Sequence, residues 1–283
     1  MQIISQSSEW ASVPLLPHQH RGFVPTMGAL HEGHLALIRK AQAQNDQVVC
    51  SIYVNPAQFN NPEDLARYPR VLAQDLERLA EFPNLLVFTP RDEEMYPAPP
   101  RLRFDFGKLE QVMEGQYRPG HFNGVALVVA KLFHLVQPHR AYFGRKDLQQ
   151  TLIVKQLIDD LSFPIELVVC PTIREADGLA LSSRNRRLSL AQRQQAVLIP
   201  QTLFEVRRRI RAGGYPLPDL YQFVEEQFAQ SALRLEYFQI VHRQTLEPVA
   251  HLEAPAALAL CVAAYAGEIR LIDNVVLTLQ KEL

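Results

Sequence analysis

The chain has 283 residues, 47% of them hydrophobic, enough for about two domains with apolar cores of their own. A formal net charge of −1 excludes a general polyanion binder or a protein held on an anionic membrane by charge, so any basic site must be local. The first residues, MQIISQSSEW, lack a basic segment followed by a sustained apolar one, and the longest apolar run, Ala254 to Ala266, is broken by Pro255 and too short to span a bilayer, so a cytoplasmic location is expected.

In chain order, the apolar pair Phe23 and Val24 leads into PTMGALHEGH, Pro25 to His34. LALIRKAQA follows, where Leu35, Leu37, Ile38 and Ala41 supply the buried side of a helix. The order is strand, glycine turn, helix. Gly28 and Gly33 permit tight turns, and the helix beginning near Gly33 is expected to point unpaired N–H groups and its positive dipole end into the turn. That predicts an anion-binding corner. His31 and His34 stand at its mouth as hydrogen-bond donors to phosphate and, when protonated, as compensating charge. Two unrelated surface histidines are the plain alternative. A zinc site fits poorly, because the metalloprotease helix needs H-E-x-x-H and HEGHL has leucine where the second histidine would fall.

QVVCSIYV is a continuous apolar run of strand length, the mark of a parallel strand covered on both faces. It ends in Asn55, Pro56, Ala57 and Gln58, and ligands of such sheets bind beyond the carboxyl ends of the strands. Leu72, Leu76 and Leu79 mark the next helix and LLVF, 85–88, the next strand. This β-α-β-α-β order with right-handed crossovers predicts a doubly wound sheet. After a proline-rich connection, RLRFDF alternates Leu102, Phe104 and Phe106 with Arg101, Arg103 and Asp105, predicting a half-exposed strand on an edge or hairpin over 101–106. MEGQYRPGHFNGV, with Arg118, His121 and Asn123, precedes an apolar helix and reads equally as a binding loop or an ordinary connection.

Tyr142 and Phe143 end a short strand, and Gly144, Arg145, Lys146 and Asp147 open a helix carrying Leu152, Ile153, Leu157 and Ile158. Lys146 is placed to meet an anion at a helix start, or else is a solvated lysine beside a capping aspartate. IELVVC is a further parallel strand. In PTIREADGLALSSRN, Ser182, Ser183 and Arg184 suit a loop that closes on phosphates, although a helix cap with exposed charge uses the same residues. Ser189 predicts the N-cap of a helix from Leu190 to Ile210, whose Arg207, Arg208, Arg209 and Arg211 form a solvated face. A helix over 217–230 and the runs LEYFQIV, ALALCVAAY and NVVLTL predict a small antiparallel α+β domain. The boundary falls near residue 173, dividing 1–173 from 174–283, with the Arg184 loop near the hinge. Cys50, Cys170 and Cys261 are odd in number, far apart and set in apolar runs, as buried structural thiols are.

The stretches PTMGALHEGH, SIYVNPAQF, DLARYPR, MEGQYRPGHFNGV, KLFHLVQP, GRKDLQQ, DGLALSSRN and RLIDN run in order from residue 25 to 274. Together they resemble the pantothenate synthetase (pantoate–β-alanine ligase) family, within the wider H-x-G-H nucleotidyltransferase-like group. The resemblance implies a Rossmann-like doubly wound parallel sheet with a smaller C-terminal α+β domain closing over an ATP site. It implies that pantoate and ATP form pantoyl adenylate and pyrophosphate, and that β-alanine then displaces AMP. Met27, Gly28, Ala29, Leu30, His31, Glu32, Gly33 and His34 would hold ATP, His34 in an acid role and His31 stabilising charge. Gly144, Arg145, Lys146, Asp147, Ile173, Leu181, Ser182, Ser183 and Arg184 would join that site, with Lys146 and Arg184 among the catalytic residues. Gln58, Gln150 and Asn55 would hold pantoate or β-alanine. The resemblance also implies a magnesium ion on the phosphates, with no assignable protein ligand, and a homodimer, but no nucleic-acid or membrane partner. Arg145 stands where the family usually has a carboxylate or amide. The competing readings are a nucleotidyltransferase that keeps the nucleotide in its product, an ATP-sensing module, and a fragment of a tRNA-charging enzyme. The last is disfavoured by near-zero charge.

Overall fold

The computed structural model describes residues 1–253 and 256–279. Ala254 and Pro255, which open the longest apolar run, lie outside the described residues. The chain forms two compact units, Met1–Arg145 with Gln149–Pro171, and Lys146–Leu148 with Thr172–Leu283.

The first unit contains, in chain order, β1 (Gln2–Ile4), β2 (Arg21–Thr26), α1 (Glu32–Gln42), β3 (Gln47–Ile52), α2 (Pro62–Ala66), α3 (Leu72–Leu79) and β4 (Leu85–Phe88). It continues with α4 (Asp92–Met95), α5 (Met113–Tyr117), α6 (His121–Val136), β5 (Arg140–Gly144), α7 (Leu148–Asp160) and β6 (Glu166–Cys170). The strands form one sheet in the order β1-β4-β3-β2-β5-β6, and every neighbouring pair is parallel. Alternate residues of each strand enter opposite cores, as the two-residue period of a strand requires. Phe23, Val49, Leu86 and Phe143 pack with α6 and α7, whereas Val24, Val48, Cys50, Val87 and Tyr142 pack with α1 and the end of α3. Helices therefore cover both faces, which is why these strands read as continuous apolar runs. The chain moves outward from β2 through β3 to β4, then returns to β5 beside β2. The order reverses there, and the carboxyl ends of β2 and β5 make the crevice where open α/β sheets take ligands.

Two expectations change. Residues 101–106 form no strand. The sheet already ends at β1 and β6, and the Phe104 N–H donates to Asn123 Oδ1 at 2.8 Å instead of to a ladder. Phe106 is buried and Phe104 partly so, while Leu102 faces solvent, so the alternation marks two anchors of an irregular segment. Of the two edge strands, β1 is three residues long and too short to stand out in the sequence.

The second unit contains α8 (Leu190–Ala196), α9 (Leu198–Ala212), α10 (Leu217–Ala229), β7 (Leu233–His242), β8 (Ala256–Ala266) and β9 (Ile269–Leu279). Its strands form an antiparallel sheet in the order β7-β8-β9, whose core includes Ile199, Leu203 and Val206 of α9 and Leu220, Val224 and Phe228 of α10. The single helix expected from Leu190 to Ile210 is broken at Val197. Pro200 has no N–H for the Ala196 carbonyl, so the ladder cannot run through that turn. Ser189 caps α8 as expected, accepting from Gln192 N at 3.3 Å. No helix among the described residues is long and apolar enough to cross a membrane. Cys50, Cys170 and Cys261 are buried thiols, and burial first of all pushes the Cys50 thiol up to about 12, with the nearby Asp75 charge adding to it.

Candidate active site

The turn after β2 is built from its own side chains. Thr26 Oγ1 donates to Ser51 O at 2.7 Å and accepts from Gly28 N at 3.2 Å. Gly28 and Ala29 are both left-handed, with φ of 77° and 49°, which glycine tolerates freely and alanine does not. The Asp75 carboxylate of α3, 1% exposed, accepts from Ala29 N at 2.8 Å and from Leu30 N at 2.7 Å. His31 is the N-cap of α1, and its Nδ1 accepts from Gly33 N at 3.1 Å. His34 returns the contact, its Nδ1 accepting from His31 N at 3.3 Å, and the two rings stack with centroids 4.0 Å apart.

This corrects the expected cradle of unpaired N–H groups. The amides of Gly28, Ala29, Leu30, His31 and Gly33 already donate within the protein. Each imidazole accepts through Nδ1, so its proton sits on Nε2, and protonation would set a second N–H against a backbone donor. The pair thus forms a capping box at the positive end of α1, with Nδ1 of each ring turned to the backbone. Asp75 was missed in the sequence, although a signal exists: it lies three residues after Leu72 and four before Leu79, on the apolar side of its helix.

The turn after β3 is equally closed. Asn55 and Gln58 are buried. Asn55 Oδ1 accepts from Ala57 N and Tyr96 O–H at 3.3 and 2.8 Å, and its Nδ2 donates to Gln58 Oε1 and Gly124 O, both at 3.1 Å. All four of its hydrogen-bonding positions are engaged, so Asn55 shapes the turn and aims Gln58, whose Nε2 donates to Met27 Sδ at 2.9 Å. The segment MEGQYRPGHFNGV, ambiguous in the sequence, holds this turn from the other side. Arg118 can only donate, so His121 Nε2 accepts from it at 3.1 Å and the ring proton lies on Nδ1, which donates to Gln58 O at 2.8 Å. Glu114 pairs with Arg118 at 3.7 Å. Gly124 lies against Ala57, and a Cβ there would fall 2.1 Å from Ala57 O. Gly124→Ala must displace backbone, and a loss of about 1–3 kcal/mol in the unfolding free energy of the first unit is expected from urea titration.

Gly144 ends β5, Arg145, Lys146 and Asp147 form a 3₁₀ turn, and Gln150 sits half-buried on α7 beside the fully buried Gln149. In the second unit, Lys146 O accepts from Asn274 Nδ2 at 2.8 Å. Asp273, next to it, is buried and forms a two-pronged pair with Arg174 at 2.6 and 2.8 Å. Burial raises the Asp273 carboxyl above the usual carboxylate range, and Arg174 opposes that rise. Ile173 O accepts from Leu181 N at 3.0 Å, bringing those two predicted residues together. Ser182 caps the 3₁₀ turn Ser183–Arg187, accepting from Arg184 N at 3.3 Å, while Ser183 is buried. RLIDN, to which sequence reading assigned no role, supplies both Asp273 and Asn274.

The family model described as Pantoate-beta-alanine ligase matches residues 2–276. Pantothenate synthetase of Cytophaga hutchinsonii is 45% identical over 259 residues, covering 91% of this chain and 92% of the relative. That of Phocaeicola vulgatus is 48% identical over 256 residues, 90% of each. The crystal structure of pantothenate synthetase from Thermus thermophilus aligns with a TM-score of 0.90 at 46% identity, over 97% of this chain and 99% of that one. Pantoate-beta-alanine ligase from Francisella tularensis, complexed with beta-gamma ATP and beta-alanine, aligns with a TM-score of 0.80 at 35% identity, over 97% of each. With the H-x-G-H capping box at the head of α1 and a match running almost from end to end, the chain belongs to the pantoate-β-alanine ligase family.

Proposed function

We propose that the protein joins pantoate to β-alanine, with ATP as the activating substrate and AMP and pyrophosphate as products. Membership of the family supports the reaction, and the observation that carries the site is the stacked pair His31 and His34, whose Nδ1 atoms cap α1 and whose Nε2–H groups can donate to an incoming anion. A carboxylate oxygen of pantoate attacks the α-phosphorus, the bond to the β-phosphate oxygen breaks, and pyrophosphate leaves. The amine of β-alanine then attacks the acyl carbon, loses a proton and expels AMP. Charge grows on phosphate oxygens in the first step, and donors fixed before the reaction stabilise it without reorganising. His34 and His31 act there as hydrogen-bond donors.

In this reading Met27 to His34, Gly144 to Asp147, Ile173 and Leu181 to Arg184 bind ATP, with Lys146 and Arg184 drawing phosphate charge. Gln58 and Gln150 hold pantoate, and Asn55 acts through Gln58. Among the described residues no group of three His, Cys, Asp or Glu could hold a metal ion. Magnesium enters as the MgATP complex, held by phosphates and water. The family resemblance extends the reading to a cytoplasmic homodimer, which light scattering on the purified protein tests.

Mixing ATP, magnesium, pantoate and β-alanine should yield pantothenate, AMP and pyrophosphate by mass spectrometry. Without β-alanine, a quenched reaction should contain pantoyl adenylate bound to the protein, because a site closed to water preserves it. A product that retains the nucleotide and is released over many turnovers without β-alanine would replace this reading with nucleotidyl transfer.

A further inference from the structure

We propose that Asp75 is the positioning residue of the histidine turn, holding the backbone of Ala29 and Leu30 so that the Nε2–H groups of His31 and His34 face the phosphates. Its catalytic consequence rests on the ATP-dependent reaction above, whereas its effect on the turn rests on geometry alone. Both carboxylate oxygens are engaged, one on each amide, at 2.8 and 2.7 Å. Ala29 and Leu30 are 0% exposed, so water cannot replace the carboxylate as acceptor. The turn it holds is one the chain would not keep unaided, because Gly28 and Ala29 are left-handed in succession and Ala29 carries a Cβ. The carboxylate also lies against Gly28, where an added Cβ would sit 2.9 Å from Asp75 Oδ2. Leu30 directly precedes the N-cap His31, so any relaxation of the turn moves the capping box itself. Asp75 touches no substrate in this role. Its charge is directed at two backbone dipoles, leaving phosphate recognition to side chains.

Asp75→Asn is close in volume, but its amide can accept from only one of the two N–H groups and sets its own N–H against the other. In pantoate-dependent exchange of labelled pyrophosphate into ATP, kcat should fall about tenfold to 10²-fold, as small misplacements of catalytic groups do, with KM for pantoate within about twofold of wild type. Adding Ala29→Gly to Asp75→Asn removes the left-handed penalty and should recover about fivefold in kcat. Hydrogen exchange on the wild-type protein supplies a readout independent of activity and of variant folding: the Ala29 and Leu30 amides should be as protected as those of β2. Exchange of these amides at peptide-like rates would overturn the proposal. So would an unchanged kcat in Asp75→Asn, or a loss that Ala29→Gly leaves in place while raising Tm. Should wild type show no pyrophosphate exchange at all, the functional reading fails and the protection of the two amides still decides the geometric one.

Discussion

His34→Ala should lower pantoate-dependent pyrophosphate exchange by about 10²–10³, the typical effect of removing one fixed donor aimed at developing charge. It should also lose stability, because His34 Nδ1 accepts from His31 N and closes the cap of α1. Alanine removes both functions, and caps of this kind contribute about 0.5–2 kcal/mol. His34→Asn separates them. Its carbonyl oxygen can accept where Nδ1 does, but the shorter side chain has no donor where Nε2–H stands. The asparagine variant should therefore regain much of the melting temperature lost by alanine while its exchange rate stays low. If the asparagine variant recovered rate along with stability, His34 would be a cap and not a donor to phosphate.

Arg174→Ala should be the most destabilising single change in the second unit, by about 3–5 kcal/mol, because it leaves the Asp273 carboxylate buried without its partner. The Asp273 side chain is 2% exposed and that of Arg174 18%. Arg174 also donates to Gly178 O and Asn274 O at 3.0 Å and stacks over Phe204 at 5.1 Å. Replacing both partners, as Arg174→Met with Asp273→Leu, should cost less than Arg174→Ala alone, since no charge is then stranded. The pH dependence has a definite sign. Burial already holds the folded Asp273 carboxyl above its ordinary 3.8, so the folded state binds the proton more tightly than the unfolded one. Without Arg174 that difference grows. The deficit of the variant should be largest near neutral pH, shrink as pH falls through the variant's further raised folded value, and level off once the wild type's own raised folded value is passed. Urea titrations at several pH values would show it, and a deficit independent of pH would mean that Asp273 is not the stranded group.

Local pattern determined most of the fold. A run apolar on both faces marked β3 as a covered parallel strand, short apolar runs marked β4 and β6, leucine spacing marked α3, and glycine between strand and helix marked the His31–His34 turn. Each signal lies within about a dozen residues and follows from the period of one element, so it can be read without knowing what packs beyond it. Where a local pattern had two physical causes, it misled. Leu102, Phe104 and Phe106 alternate as a strand would, yet two aromatic anchors on irregular backbone alternate too. Tertiary structure alone decided what each polar group faces. The sequence offers the turn amides to phosphate, but Asp75, 46 positions from Ala29, takes two of them. It offers Asn55 to a ligand, but Tyr96 and Gly124, 41 and 69 positions away, occupy it. Hydrogen bonds between residues so far apart leave no periodicity in the chain. They form only once the sheet and its helices have brought the partners within about 3 Å, where burial makes an unpaired polar group too costly to leave.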